Sequence, residues 1–241
     1  MTEYILPDAT REKLKAVSTA SVATALYKRG LRNQFVQGVT PIERKPVVMV
    51  GQAFTLRYIP AREDRNPITV FRNRDHKQRV AIETCPEGHV LVMDARKNAR
   101  AATAGSILIT RLQERGGAGV VSDGGVRDAA GIGALDMPAY FAGPSAPTNL
   151  THHEAIDINV PISCGDAPVF PGDVVLGDGD GVMIIPAHLA CEIADECTEM
   201  ESYEAFVLET VKGGAGIIGL YPGTDEDNIA KYTAWRERTG R

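Results

Sequence analysis

The stretch GSILITRLQERGGAGVVSDGGVRD, residues 105–128, decides how the fold is read. Ile107, Leu108 and Leu112 recur at helical spacing and the run stops at Gly116-Gly117, so a helix is predicted to open at Gly105. AGVVSDGG follows as a strand that runs into a glycine turn. Strand, glycine, helix and strand over about thirty residues make a βαβ unit, and such units bind ligands at the carboxyl ends of their strands.

Outward from this unit the chain alternates in the same manner. Residues 8–30, DATREKLKAVSTASVATALYKRG, read as helix with Asp8 as N-cap, a second cap near Ser18 and Thr19, and a stop at Gly30. VVMVGQAFTLRYI at 47–59 and HVLVMDA at 89–95 read as strands. Downstream, DAAGIGAL suggests a short helix and PAYFAG a strand; residues 156–185 hold short strand-like pieces punctuated by turn residues, which implies hairpins. A long helix is expected over about 188–212. With no repeat, linker or low-complexity segment, one mixed α/β domain over 1–241 fits the length.

Composition narrows the function classes. The 241 residues carry 26 Lys+Arg against 31 Asp+Glu, a net charge of −5, and 44% are hydrophobic, which excludes a disordered tail. The acidic balance supplies no general field for a polyanion, so nucleic acid is not an expected partner. No apolar stretch approaches the ~18 residues of a membrane span, and the N-terminus lacks a basic n-region followed by an apolar run; a cytoplasmic protein without membrane association is expected. Cys85, Cys164, Cys191 and Cys197 are too widely spaced for a zinc site and read as reduced structural thiols.

Asp123-Gly124-Gly125-Val126-Arg127-Asp128 is the most informative candidate for chemistry. Two glycines let backbone turn and approach a ligand, Arg127 offers a fork matched to a carboxylate or phosphate, and Asp128 offers a hard oxygen to a divalent cation. The same dipeptide also reads as a helix cap with a surface ion pair. Gly105-Ser106 opens a helix whose free N–H groups form an anion site, or else Gly105 is simply a helix-start glycine. GDGDG at 177–181 lacks the further oxygen ligands of a calcium loop and reads as a hairpin turn. His152-His153-Glu154 reads as a solvated loop, since neighbours on a strand cannot converge on one ion. The arginine-rich stretch from Arg57 to Arg79 reads as a solvated loop in preference to a basic patch. Nucleotide-binding and serine-hydrolase motifs are missing.

GSILITRLQERGGAGVVSDGGVRDAAGI, then LDMPAYFAG, then VFPGDVVLGDGDGVMIIPA resemble the family joining 4-hydroxy-4-methyl-2-oxoglutarate/4-carboxy-4-hydroxy-2-oxoadipate aldolases with the regulators of ribonuclease E activity (RraA-like). The similarity runs from about Ser18 to Pro222. It implies an α/β fold with a mixed β/β/α core like a phosphohistidine swivelling domain, assembled as a homotrimer or hexamer with sites between subunits. It implies a class II aldolase in which Mg²⁺ or Mn²⁺ binds a small 2-oxo acid and stabilises its enolate, cleaving a 4-hydroxy-2-oxo acid to pyruvate and a carbonyl compound, with oxaloacetate decarboxylation as a side activity. Carried over by position, Arg127 contacts the substrate carboxylate and keto oxygen, Asp128 holds the metal, and backbone amides of Gly105, Ser106, Ile107 and Leu108 bind the carboxylate.

Three positions depart from the family pattern. Gly131 stands where the aldolases carry an acid three residues after the metal aspartate, Thr24 replaces an Asp of the first helix, and Ser106 takes a position often acidic in relatives. Glu204, from a neighbouring subunit's C-terminal helix, is the candidate to supply the missing catalytic carboxylate. The alternative function is a non-catalytic trimeric regulator that binds and inhibits a ribonuclease or another protein.

Overall fold

The structure, a computed structural model, describes residues 4–240. Two helices come first, α1 (Asp8–Lys15) and α2 (Thr19–Lys28). Asp8 is the first helical residue of α1, with Pro7 and not Asp8 at the cap position. The second cap falls at Ser18, whose side chain accepts from the Ser21 N–H, and Gly30 at φ 80° ends the helix in a conformation that suits glycine. A short β1 (Thr40–Pro41) and the long β2 (Met49–Pro60) follow. Next come α3 (Lys77–Thr84), β3 (His89–Asp94), β4 (Ala102–Ala104), α4 (Ser106–Glu114) and β5 (Gly119–Val126). After β5 lie α5 (Ala129–Gly133), β6 (Ala139–Pro144) and β7 (His153–Ile158). Two hairpins complete the strands, β8 (Ile162–Cys164) with β9 (Ala167–Val169), and β10 (Val174–Gly177) with β11 (Val182–Ile185). The chain closes with α6 (Ala190–Lys212), entered through a 3₁₀ turn at Ala187–Leu189, and α7 (Glu226–Thr239).

Nine strands among the described residues form one mixed sheet. Its centre is parallel, β2 beside β3 beside β5 beside β6, and antiparallel partners β10, β7 and β1 flank it. Central parallel strands are covered on both faces and read as continuous apolar runs, as VVMVGQAFTL and HVLVMD do. Alternation along β3 divides the core: Leu91 and Met93 pack with Ile82, Ile109, Leu112 and Phe141 beneath α3 and α4, while Val90 and Val92 join Val121, Val175, Ile184 and Val169 on the opposite face. A third cluster buries α1, α2 and α6 against β10 and β11.

Helix α7 has no counterpart in the expectations from sequence. It packs Trp235 and Tyr232 against Phe206, Val207 and Leu220, and Asp225 caps it by accepting from the Asp227 N–H. The GDGDG segment is a hairpin turn as expected, and Asp178 in it also accepts from the N–H and hydroxyl of Thr19. His152-His153-Glu154 departs from the solvated loop expected of it. His153 opens β7, is fully buried and lies 5.6 Å from the Tyr58 ring. No helix among the described residues is long and apolar enough to cross a membrane.

Candidate functional site

The carboxyl ends of β4 and β5 lie side by side because these strands pair in parallel. The chain leaves β4 through Gly105, in extended conformation, straight into α4, and leaves β5 through Arg127 and Asp128 into α5. The Arg127 N–H donates to Ala104 O at 3.1 Å, locking the two exits together. A Cβ on Gly105 would stand 2.7 Å from Arg127 Nε, 2.9 Å from its Cγ and 3.0 Å from Asp128 Oδ2. Glycine is required at 105 because the Arg127 side chain crosses its α-carbon.

The glycine turn expected at 124–125 is not there. Both glycines lie inside β5 with φ on the negative side, and a register shift marks a bulge between Ser122 and Gly125. A Cβ on Gly124 would come within 2.6 Å of Ala95 Cβ and Thr103 Cγ2, and one on Gly125 within 2.6 Å of Ser145 Cβ. They permit close packing, and the turn is made instead by Asp128 at φ 59°, ψ 38°.

Asp128 Oδ2 accepts from Ser106 N at 3.2 Å and from Ser106 Oγ at 3.1 Å, while Arg127 Nε stands 3.8 Å away. The ion-pair feature weighed from sequence is therefore present, and Asp128 does cap a helix, but it is α4: at the start of α5 its side chain makes no capping bond. These contacts do not exhaust the two side chains: each is about half exposed, and Asp128 Oδ1 has no hydrogen-bond donor among the described residues. Of the N–H groups expected to meet a carboxylate, that of Ser106 faces Asp128 and that of Leu108 donates to Gly105 O at 3.1 Å. The N–H of Ile107, second in the helix, has no acceptor within α4 and lies at the positive end of its dipole.

Arg127, Gly105, Ile107 and Leu108 form one wall of a cleft of about 440 Å³. The opposite wall comes from the arginine-rich stretch, which is largely exposed but is not a simple loop. Arg57 sits on β2, residues Ile68–Arg72 form a 3₁₀ turn, and α3 begins at Lys77. Ile68, Phe71 and Arg79 face the cleft; the Arg79 guanidinium donates to Phe71 O and lies 4.7 Å from the centre of the Phe71 ring. The floor includes Thr148 and Asn149. Ile68, Phe71, Thr148 and Asn149 went unnoticed in the sequence, and Arg79 entered only as the end of the arginine-rich stretch.

A divalent cation can be tested against this donor set. No group of three or more His, Cys, Asp or Glu side chains among the described residues could hold a metal. Asp128 lines a hollow that shares Arg127 with the cleft, and its one unpartnered carboxylate oxygen suits a hard ion that keeps most of its waters and takes further oxygens from substrate, as magnesium does. Thr24 lies elsewhere, on α2, with its hydroxyl donating to Ala20 O. Gly131 does face this site: a Cβ there would lie 3.5 Å from Ser106 Cβ, with nothing nearer. Glu204 does not line the cleft of its own chain; its carboxylate accepts from the Tyr221 hydroxyl at 2.7 Å.

Comparison with known proteins follows the same lines. The family model described as "RraA-like: Aldolase/RraA" matches residues 19–184. A protein of Halalkalibacterium halodurans named "Putative 4-hydroxy-4-methyl-2-oxoglutarate aldolase" is 39% identical over 106 residues, 44% of this chain and 50% of that relative, so the chain spans half of that relative's length. Among solved structures, Streptomyces coelicolor RraAS2, titled an unusual member of the RNase ES inhibitor RraA protein family, superposes with a TM-score of 0.73 at 28% identity, covering 83% of this chain and 96% of that one. A protein of Pseudomonas syringae pv. tomato shares the fold with a TM-score of 0.76 at 21% identity, over 90% of this chain and 98% of the other.

Proposed function

This chain belongs to the RraA-like family, and from that premise we propose that it is a metal-dependent carbon–carbon lyase that cleaves a 4-hydroxy-2-oxo acid to pyruvate and a carbonyl compound. The family joins aldolases with ribonuclease regulators, so membership alone does not choose between catalysis and docking. The observation that favours catalysis is that Arg127 and the amino end of α4 line one cleft while the half-exposed Asp128 carboxylate, with one oxygen open, stands beside the Arg127 side chain. A docking surface has no use for that set.

Retro-aldol cleavage leaves an electron pair on the carbon that becomes the pyruvate methyl group, and the pair spreads onto the keto oxygen. Arg127 would place a cation beside that oxygen as charge develops, its main chain held by the bond to Ala104 O and its side chain lying across Gly105. The Ile107 N–H and the dipole of α4 receive the carboxylate. Asp128 would hold Mg²⁺ or Mn²⁺, which supplies Lewis acidity at the keto and carboxylate oxygens when bound. Loss of carbon dioxide from oxaloacetate generates the same enolate, so decarboxylation belongs to the proposal. The cleft lining contains no carboxylate or imidazole to take the hydroxyl proton. Glu204 of a neighbouring copy, steadied by Tyr221, is proposed for that task in a homotrimer or hexamer.

The deciding experiment is pyruvate release from oxaloacetate and from 4-hydroxy-2-oxo acids, with EDTA and then metal add-back. Turnover that needs metal and disappears in Arg127→Ala and Asp128→Ala is expected. No release from any of these substrates would sink the lyase reading and leave the protein-binding regulator as the alternative.

A further inference from the structure

Residues 57–79 carry seven cations against Glu63, Asp64 and Asp75, in a chain whose net charge is −5. These cations fall into two groups. Arg57, Arg62 and Arg65 pair with Asp157, Asp64 and Glu154 at 3.9, 2.6 and 3.5 Å. Arg72, Arg74, Lys77 and Arg79, which run from the end of the 3₁₀ turn into α3, make no ion pair among the described residues. Like charges crowded on one short segment repel one another, and an incoming anion relieves that repulsion.

Arg79 is the member of the second group that lines the cleft. One of its five N–H donors goes to Phe71 O and its guanidinium lies over the Phe71 ring. Neither partner is an anion, so the contacts orient the group without neutralising it, and four N–H donors are left. The buried imidazole of His76 feels the charge: burial chiefly, and Arg79 next, lower its pKa. Across the cleft, Arg127 has Asp128 at 3.8 Å and already serves the carboxylate and keto end of a 2-oxo acid. No acid lines the cavity between the two guanidinium groups, and its volume of about 440 Å³ is that of pockets enclosing ligands well beyond the size of pyruvate. Ile68, Phe71, Ile107 and Leu108 surround the same space with carbon, where pairing between an oxyanion and a guanidinium is stronger than in open water.

Resting on the lyase reading, we propose that Arg79 is a specificity-determining residue that receives an oxyanion, carboxylate or phosphate, on the half of the substrate that departs as the carbonyl compound. Arg127 and Arg79 then hold opposite ends of a doubly anionic 4-hydroxy-2-oxo acid. Arg79 stands outside residues 105–132, 135–143 and 169–187, which carry the family resemblance, so the shared motifs serve the pyruvate end and a separate segment chooses the other. In the cleavage the C3–C4 bond breaks and its electron pair passes to C3. The C4 hydroxyl gives its proton to water and becomes the carbonyl, while C3 takes a proton from water to complete pyruvate. The oxyanion is carried through unchanged, and neither oxidant nor reductant is needed.

The test uses the whole chain with Mn²⁺ and 4-hydroxy-2-oxo acids bearing methyl, carboxylate or phosphonomethyl at C4. At least one anionic compound is expected to exceed the methyl compound tenfold or more in kcat/KM, and the better of the two identifies the oxyanion. Arg79 is exposed, so Arg79→Gln and Arg79→Lys fold readily. Glutamine should lower the anionic-to-methyl ratio at least tenfold, and lysine, which keeps the charge, should restore part of it. Calorimetry reads the same choice without turnover: 2-oxoglutarate should bind at least tenfold more tightly than 2-oxopentanoate, its equal in length with one carboxylate fewer, and Arg79→Gln should erase the difference. A methyl compound equal to or better than both anionic ones, or a ratio that Arg79→Gln leaves unchanged, would overturn the proposal. Should no compound be cleaved while the calorimetric preference persists and depends on Arg79, the lyase reading falls and the anion site stands. Absence of both cleavage and preference removes both.

Discussion

The carboxylate of Asp128, at the exit of β5, accepts both the backbone N–H and the hydroxyl of Ser106, which makes it the cap of α4, a helix whose own cap residue, Gly105, has no side chain to offer. One carboxylate oxygen thus serves the fold, and the other has no donor among the described residues and is available to a cation.

These two tasks separate by substitution. Asp128→Asn keeps an oxygen for Ser106 and tolerates the left-handed backbone, whereas Asp128→Ala loses the cap, at about 1 kcal/mol, and adds a left-handed penalty of about 1 kcal/mol. Both variants should lose metal-dependent turnover, and only the alanine should unfold earlier in urea. Equal stability in the two would contradict the capping role.

The glycines at 105 and 125 should fail in different ways. A methyl group at 105 meets the side chains of Arg127 and Asp128, which can swing aside, so Gly105→Ala should cost tenfold or more in kcat/KM, roughly what a misplaced reacting group costs, with stability within about 1 kcal/mol. A methyl group at 125 would lie 2.7 and 2.8 Å from the backbone oxygens of Ala99 and Ala101, which cannot yield. Gly125→Ala should destabilise the protein by about 1–3 kcal/mol, measured by chemical denaturation.

Position 131 offers room for a ligand that this chain does not carry. Gly131→Asp would place a second carboxylate beside Ser106 and Asp128 without a steric clash. Mn²⁺ should then bind roughly tenfold more tightly, about 1.4 kcal/mol, by calorimetry. An unchanged affinity would separate position 131 from the cation site.

Stability should fall in mild acid because of His153. Burial, with Arg96 as the next contributor, lowers its pKa to about 4. In the unfolded chain the imidazole takes its proton near 6.5, so between about pH 6.5 and 4 the unfolded state binds more protons. The contribution is complete above 6.5 and shrinks as pH falls, by up to about 3 kcal/mol. Burial raises the carboxyl pKa values of Asp94, Asp123 and Asp173, which acts with the opposite sign. Unfolding free energies at pH 7, 5.5 and 4.5 should therefore be compared between wild type and His153→Asn, whose profile should be flatter across that window.

The parallel centre of the sheet was legible in the sequence because each of its strands is a continuous apolar run, and α4 because its leucines and isoleucines keep helical spacing. Arg127, Asp128 and Gly105 were legible as a set, since the βαβ reading brings their two strand ends together. The role of Gly124 and Gly125 was misread as turning because a clash with Ala95, Thr103 or Ser145 depends on tertiary contacts that no local pattern encodes. His153 was misread for the same reason: a histidine beside a second histidine looks polar until Tyr58 covers it. Helix α7 escaped notice because Trp235 is its only buried residue, which leaves no apolar stripe to count. Asn149 carried no signal, since nothing about one asparagine in SAPTNLT places it in the floor of a cleft.

The two walls of the cleft belong to chain segments under different constraints. Gly105 and Arg127 are anchored to paired strand ends, where even one added carbon collides with a neighbour, while Ile68 stands on a largely exposed 3₁₀ turn outside the sheet. Replacements in that turn are nearly free of cost to folding, so descendants of a single ancestral scaffold can drift toward new reactants while the Arg127 end is conserved. A lineage that holds both aldolases and proteins named for ribonuclease inhibition is the kind of divergence that this separation allows.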